Sequence, residues 1–304
     1  MRATLSSAGS GDGGPAYDAY SGIPSIGVPG RAATELPAGR PAGSGDSADH
    51  ELSASSFPGV EVRAASIRGL MHRYRQEPRQ DRFSLFHRET SDTLIVSVCD
   101  GVGSLDLSHE AAAFVAHWMP HAYVLHEDWA KAIGEVNERL GQYAADTAGG
   151  AREGSEPHTY GMATTFVGVA VALSARPRTA SIAWTDDSTV WLLDQDGWTK
   201  LTQDPAAAAS GSLHHTSIRA LPHPEPRHHT IEVPVDQGAL FVMTDGVGVP
   251  LEGAAEVRRT LAQWWAAPPD PFTFARQVGF ARRSHMDDRT VVGIWFDEEN
   301  SRRE

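Results

Sequence analysis

The chain has 304 residues, enough to bury one large core, and carries a formal charge of −13. This acidic balance argues against a nucleic-acid partner, because contacts to a phosphate backbone need clustered Lys and Arg. No stretch approaches the roughly 18 apolar residues of a membrane span, and the start lacks the apolar core of a secretory signal, so we expect a soluble, cytoplasmic protein.

Composition divides the chain into a tail, one domain and a short end. Residues 1–57 are rich in Ser, Gly, Ala and Pro and show no apolar period, so they cannot offset their ordering entropy and are predicted to be a disordered tail. Residues 58–298 should form the folded domain, and residues 299–304 a short polar tail. The single cysteine, Cys99, lies in the apolar run "IVSVCD", which favours a buried strand residue over a reactive thiol.

The first half of the domain reads as strands followed by helices. Alternating residues predict strands over 60–69 and 82–89, and the apolar run over 92–101 predicts a central buried strand. Helical spacing follows in "SHEAAAFVAHWMPHAYVL" and "DWAKAIGEVNERLGQYAADTA", with Ser108 and Asp128 as the N-terminal caps. A glycine-rich loop over 149–161 then leads into four strands, which turns at "ARPR" and "DQDG" should join into an antiparallel meander.

The second half begins with a long excursion from 204 to about 229 that holds five histidines. A zinc site there is disfavoured, because neither His-His pair has the wider spacing of structural zinc ligands. Two strands, "TIEVPV" and "GALFVMTDG", come next, then two helices, "GAAEVRRTLAQWWA" and "PFTFARQVGFARRS", and a last strand, "RTVVGIWF". This order predicts an α+β domain in which helices cover antiparallel sheets.

Aspartates at the ends of apolar strands are the candidate functional residues. Asp100 and Asp245 are each followed by glycine, and Asp-Gly between strands is typical of a hairpin. Here a loop and helix follow each pair, which argues against hairpins. Asp287 precedes the last strand and Asp187 lies between two others. If these acids converge on one sheet edge they repel each other unless cations bind, and an all-oxygen ligand set suits Mg²⁺ or Mn²⁺.

Seven motifs between residues 60 and 297 resemble, in order, those of the PPM (type 2C) family of metal-dependent serine/threonine protein phosphatases. They are "PRQDRF", "VSVCDGVGS", "GMATTFVGV", "AWTDDSTVWLLDQDGWTKLTQD", "SIRAL", "FVMTDG" and "MDDRTVV". The resemblance implies a four-layer α-β-β-α sandwich, with two central antiparallel sheets flanked by helix pairs. It also implies hydrolysis of phosphoserine and phosphothreonine by a metal-bridged hydroxide, and a phosphoprotein partner that is the substrate of a serine/threonine kinase.

The resemblance also assigns the metal ligands, for two ions of Mn²⁺ or Mg²⁺. Asp100 matches the aspartate that bridges both metals, and Gly101 the residue whose backbone carbonyl joins the second metal's shell. Asp245 and Asp287 match further ligands, the latter in a "DN" motif that is written "DD" here. Asp187 matches the aspartate associated with a third, weaker ion.

For the reaction itself, Asp81 matches the acid that orients metal-bound water, and His72 is the nearest candidate to protonate the leaving oxygen. Gln76 stands in the register of the arginine that binds the substrate phosphate, so three neighbouring arginines are the candidates, Arg73, Arg75 and Arg79.

The outer residues of the site depart from the family pattern. Gln80 stands where many members carry glutamate, Asp186 replaces a glycine, and Val249 replaces a further acid, which weakens the third-metal site. Two alternatives therefore stay open: a phosphatase fold kept as a weakly catalytic binding or regulatory module, and a hydrolase of small phosphoesters that uses the same metals.

Overall fold

The computed structural model describes residues 24–28, 30, 48–148, 160–203 and 220–297. The strands are β1 His50–Phe57, β2 Val60–Ile67, β3 Arg82–Arg88, β4 Thr93–Cys99, β5 Val167–Ala172, β6 Thr179–Trp184, β7 Thr189–Asp194, β8 Gly197–Lys200, β9 His229–Pro234, β10 Gly238–Met243 and β11 Arg289–Phe296. The α-helices are α1 Leu70–Arg75, α2 Ser108–His126, α3 Trp129–Thr147, α4 Asp245–Gly253, α5 Ala255–Trp264 and α6 Pro271–Val278. Within these ranges, no helix is both long and apolar enough to cross a membrane.

The strands form two antiparallel sheets. The six-stranded sheet has the order β1-β2-β11-β10-β7-β8, and the five-stranded sheet the order β3-β4-β5-β6-β9. Strands such as β4 are apolar almost throughout, because one face packs on the other sheet and the opposite face on helices. An alternating strand with one solvated face would not suit this central position.

Three apolar interfaces hold four layers together. Valines and isoleucines of both sheets, such as Val96 and Val242, fill the space between the sheets. A second interface packs α4, α5 and α6 on the six-stranded sheet, with Phe241 and Trp265 stacked at 5.0 Å. A third packs α2 and α3 on the five-stranded sheet. The predicted α-β-β-α sandwich is therefore confirmed.

The predicted boundary of the N-terminal tail was wrong, because His50–Phe57 form β1. This strand pairs with β2 along its whole length, from His50 opposite Ile67 to Phe57 opposite Val60. Its sequence "HELSASSF" carries few large hydrophobes because β1 is an edge strand whose residues are half-buried or exposed. The rest of the tail prediction concerns residues 1–23, 29 and 31–47, which lie outside the described residues, as do 298–304.

A second part of the predicted tail, residues 24–28, lies against the segment that follows α6. The N–H of Ile26 donates to the carbonyl of Ala281 (3.1 Å), and the N–H of Arg283 to that of Val28 (2.8 Å). The Ile26 side chain is 3 % exposed and joins the core beneath α4–α6. This segment therefore braces the chain that leads into Asp287.

Loss of the buried Ile26 side chain should destabilise the domain. We expect Ile26→Ala to lower the free energy of unfolding by about 2 kcal/mol, the low end for a buried Ile→Ala change, because the segment is short. Val28→Ala is the matched control, since Val28 is 65 % exposed and its loss should cost under about 0.5 kcal/mol. Urea unfolding measures both; equal stability of the two variants would contradict the docking of this segment.

The predicted meander was wrong at one connection. The hairpins β5–β6 and β7–β8 are confirmed, but β6 and β7 belong to different sheets. The chain crosses between the sheets at residues 185–188, so Asp187 lies on a crossing rather than in a turn. Periodicity could not reveal this, because β6 and β7 are buried in the same way on either side of the crossing.

Of the two predicted helix caps, one is confirmed. The Asp128 carboxylate accepts the N–H of Lys131 (2.9 Å) at the start of α3. Ser108 was the wrong cap for α2: Leu107 occupies that position, and Ser108 is already helical, with its hydroxyl buried and making no capping bond. Cys99 is buried as expected, and burial raises the pKa of its thiol. Residues 149–159 and 204–219, most of the two predicted loops, lie outside the described residues.

Candidate metal centre

Four of the predicted aspartates line one cavity of about 540 Å³ at an end of the sandwich. Asp100 follows β4, Asp245 follows β10, Asp287 precedes β11, and Asp187 lies on the crossing after β6. Because β10 and β11 are antiparallel, the end of one and the start of the other meet, with Met243 opposite Val291. The sheets therefore gather acids that are far apart in sequence.

Two glycines allow the chain to approach closely enough to build this cavity. A Cβ on Gly246 would lie 1.9 Å from the carbonyl oxygen of Asp288, and one on Gly69 would lie 2.4 Å from the carbonyl carbon of Asp287. Neither position has room for a side chain, because backbone rather than a movable side chain stands in the way. The Asp-Gly pair at 245–246 is thus explained by packing at the site, and not by a hairpin.

The cavity carboxylates destabilise one another's charge. Burial, then the charges of Asp81 and Asp245, hold the pKa of Asp100 well above its usual range. Burial, then Asp187 and Asp287, raise the pKa of Asp245 to about 6. Burial also raises the pKa of Asp187. The charged forms of these three carboxyls are thus unfavourable in the protein alone. The backbone of Gly101 lies beside them in the cavity wall, and such a set of oxygen atoms suits hard divalent cations.

The raised pKa of Asp245 has a consequence for metal-free protein. An acid whose pKa is raised by folding stabilises the fold below its unfolded pKa, near 4, and this stability is lost as pH rises through about 6. We expect the melting temperature of wild type, relative to Asp245→Asn, to fall between pH 4 and pH 7 in a chelator. Thermal unfolding checks this; a difference between the two proteins that does not vary with pH would contradict it.

Asp81 lies behind the cavity and does not line it. It is 1 % exposed, and its Oδ2 accepts a hydrogen bond from the Thr244 hydroxyl (2.8 Å). Burial and the charges of Asp288 and Asp287 raise the pKa of Asp81 well above its usual range. Thr244 immediately precedes Asp245, so Asp81 is tied to the strand end that carries this cavity acid.

Asp288 is a central residue of the site that the sequence analysis did not single out. It is 2 % exposed, and its Oδ1 accepts hydrogen bonds from the Gly69 N–H (2.6 Å) and from His72 Nδ1 (2.8 Å). Burial alone would raise the pKa of Asp288, but these bonds and the charge of His72 hold it below its usual value. The doublet "DD" in place of "DN" is the sequence signal that marks this second aspartate.

His72 lies on α1 and lines the cavity. Burial alone would lower its pKa, but the hydrogen bond and charge of Asp288, with the charges of Asp287 and Glu77, raise it to about 9. Its Nδ1 is engaged by Asp288, whereas Nε2 lies 3.9 Å from an oxygen of Asp287. The hydrogen bond to Asp288 thus fixes the ring and favours its protonated form, and Nε2 is left at the cavity.

The three candidate arginines differ in burial and in their position relative to the cavity. Arg75 lines the cavity, with a side chain that is 57 % exposed and 4.0 Å from Glu77. Arg79 is buried, and its guanidinium contacts Glu51 of β1 and the carbonyl oxygens of Ser66 and Asp81. Arg73 is also buried, at 3 % exposure, and does not line the cavity. Neither Arg73 nor Arg79 therefore lines the cavity as predicted, and Arg79 instead links β1 to the backbone of Ser66 and Asp81.

His72, Asp287 and Asp288 also form a compact group of possible metal ligands, in which one ring nitrogen and two carboxylate oxygens lie within 4.8 Å of one another. We interpret this group as a hydrogen-bonded cluster and not as a second metal site, because both oxygens of Asp288 already accept bonds and His72 Nδ1 donates one. The remaining cavity wall includes residues that the sequence did not indicate, namely Met71, Val102, Thr165, Ser284, His285 and Met286. Val249, which stands in place of an acid of the family pattern, lines the cavity too.

Comparison with known proteins identifies the family to which this fold and cavity belong. The chain matches the sequence model of a family described as "Protein phosphatase 2C" over residues 68–277. No curated protein matches it. A bacterial serine phosphatase structure has 16 % identity and a TM-score of 0.58, and the match covers 78 % of this chain and 97 % of that one.

Two further solved structures agree. The Mycobacterium tuberculosis serine/threonine phosphatase PstP/Ppp has 17 % identity and a TM-score of 0.56, with 79 % of this chain and 99 % of that one covered. The serine/threonine phosphatase Stp1 from Staphylococcus aureus has 13 % identity and a TM-score of 0.55, with 81 % and 98 % covered. At such identities these structures support the fold, while the family match spans more than half of the sequence. The chain belongs to the protein phosphatase 2C family.

Proposed function

We propose that this phosphatase binds two divalent ions, Mn²⁺ or Mg²⁺, through Asp100, the Gly101 carbonyl, Asp245 and Asp287, with Asp187 beside a weaker third ion. The observation that carries the proposal is the convergence of four aspartates from separate strand ends on one cavity. The raised pKa values of Asp100, Asp187 and Asp245 support it, because the protein alone does not favour the charged form of these three carboxyls. When bound, the ions supply positive charge for a phosphate and lower the pKa of an attacking water.

The surrounding residues orient the reaction. Asp81, held by Thr244, would fix the position of water at the back of the site. His72 would donate a proton from Nε2 to the leaving serine or threonine oxygen, since Asp288 keeps the ring protonated and fixed. Proton donation by a placed side chain contributes about 10²–10⁴-fold to such reactions.

Arg75 is the residue that we assign to the substrate phosphate, because it is the candidate arginine at the cavity. We expect Arg75→Ala to lower kcat/KM on a phosphopeptide by about 10–100-fold, the loss of a charge-assisted contact worth about 1.5–3 kcal/mol. Arg75→Lys should retain part of the activity. Arg259→Ala, an exposed arginine on α5, is the matched control and should match wild type. Equal kcat/KM for Arg75→Ala and Arg259→Ala would contradict the assignment.

The substrate is proposed to be a cytoplasmic phosphoprotein modified by a serine/threonine kinase, with no role for nucleic acid or membrane. The net charge of −13 supports the first exclusion. Phosphate release from phosphoserine and phosphothreonine peptides in Mn²⁺, compared with release from small phosphoesters, tests the substrate class. Faster turnover of the small esters would favour a small-molecule phosphoesterase. Absence of metal-dependent turnover on both would favour a binding module.

A further inference from the structure

The Asp288 carboxylate joins three segments of the chain that build the site. Its Oδ1 accepts from Gly69 N–H and His72 Nδ1, at the start of α1 and within it. Its Oδ2 accepts from the backbone N–H groups of Gln80 (2.5 Å) and Asp81 (3.3 Å). Its own backbone N–H donates to Oδ1 of Asp287 (2.9 Å). A single buried side chain thus links α1, the segment at 80–81 and the segment before β11.

All four partners of this carboxylate are donors, which explains why the residue is an aspartate. An asparagine has one acceptor oxygen and one NH₂ group, so its NH₂ would face two N–H donors whichever way the amide is turned. If it faced Gln80 and Asp81, both backbone N–H groups would lose their acceptor in a buried place. If it faced the other way, Gly69 N–H would lose its acceptor. The amide of the family's "DN" motif is therefore not equivalent to Asp288 in this chain.

We propose that Asp288 is a positioning residue for the metal centre and, through α1, for His72 and Arg75. This rests on the proposed function of the cavity and assigns no direct contact with metal or substrate to Asp288. The carboxylate fixes Asp287 through the adjoining backbone, Asp81 through its N–H, and the His72 ring through Nδ1. Partners of this kind change metal affinity or activity by about 10–100-fold when they are replaced.

Calorimetric titration of Mn²⁺ into Asp288→Asn tests the proposal with a readout other than turnover. We expect Mn²⁺ to bind about 10–100-fold more weakly than to wild type, and kcat at saturating Mn²⁺ to fall as well. Asp236→Asn is the matched control, because Asp236 accepts one backbone N–H, that of Arg178 (2.8 Å), and precedes β10 at the opposite end of the sandwich. It should bind Mn²⁺ as wild type does.

A second pair of variants keeps the test valid if Asp288→Asn does not fold. His72→Asn can still donate to Asp288 from its amide nitrogen, which lies near the position of Nδ1, whereas His72→Ala cannot. Both variants remove the charge of the ring. If His72→Ala binds Mn²⁺ several-fold more weakly than His72→Asn, the difference measures the contribution of the hydrogen bond to Asp288. Equal Mn²⁺ affinity of these two variants, or wild-type affinity and kcat in a folded Asp288→Asn protein, overturns the proposal.

These outcomes differ from a failure of the proposed function. If wild type neither binds Mn²⁺ nor releases phosphate, the metal centre itself is refuted, and the role of Asp288 is refuted with it. If wild type does both and Asp288→Asn does the same, only the role of Asp288 is refuted.

Discussion

Asp100→Asn should abolish metal-dependent phosphate release and at the same time raise the melting temperature of the metal-free protein. Burial and the charges of four acids, Asp81, Asp187, Asp245 and Asp287, raise the pKa of Asp100, so its charge is unfavourable without metal. Replacing it removes a central ligand, and we expect turnover to fall by more than the roughly 100-fold upper limit for an outer partner. It also removes a half-buried charge that the neighbouring acids repel, and each kcal/mol gained raises the melting temperature by about 2–4 °C.

Phosphate release in Mn²⁺ and thermal unfolding in a chelator measure the two effects on one preparation. Asp194→Asn is a matched control, since Asp194 is also a half-buried aspartate at the end of a strand, β7, but at the opposite end of the sandwich. It should leave turnover unchanged. An Asp100→Asn protein that keeps wild-type turnover, or whose metal-free form melts below wild type, would contradict our account of this cavity.

His72→Asn should lose about 10²–10⁴-fold in kcat on a phosphoserine peptide and far less on p-nitrophenyl phosphate. A serine alkoxide is a poor leaving group that needs a proton, whereas nitrophenolate leaves readily without one. The asparagine amide can keep the hydrogen bond to Asp288 but has no group at the position of Nε2. The variant therefore separates proton donation from the positioning of the site.

The measurement is the loss of kcat on the phosphoserine peptide divided by the loss of kcat on p-nitrophenyl phosphate. Asn137→Ala controls for the loss of a buried polar side chain elsewhere, since the Asn137 amide on α3 donates to the carbonyl of His223 (2.9 Å); it should not change the ratio of the two rates. Equal losses of His72→Asn on both substrates would show that His72 does not protonate the leaving oxygen.

Much of the fold could be predicted because the period of the apolar residues is local information. The run ending in Cys99 and the run "RTVVGIWF" are buried strands, and α3 has a clear helical spacing of its apolar residues. The cavity acids were identifiable for a related reason: a carboxylate directly after an apolar strand interrupts the pattern. Their order along the chain then matched a family.

Other features depend on contacts between distant residues, which the sequence pattern does not encode. Arg73 and Arg75 lie on the same six-residue helix, and only packing decides that Arg73 is buried while Arg75 faces the cavity. Edge strand β1 is too polar to stand out from the preceding tail. The role of Asp288 depends on donors some 207 to 219 residues away in sequence, and so was not predictable from its neighbours.

A crystal structure of the protein soaked in Mn²⁺, with ions located by anomalous scattering, tests the central claim most directly. We predict two ions in the cavity, coordinated by Asp100, the Gly101 carbonyl, Asp245 and Asp287. Asp288 should keep its hydrogen bond to His72 and make no contact with metal. An empty cavity at millimolar Mn²⁺, or an ion held by His72, Asp287 and Asp288 in place of these ligands, would contradict the account.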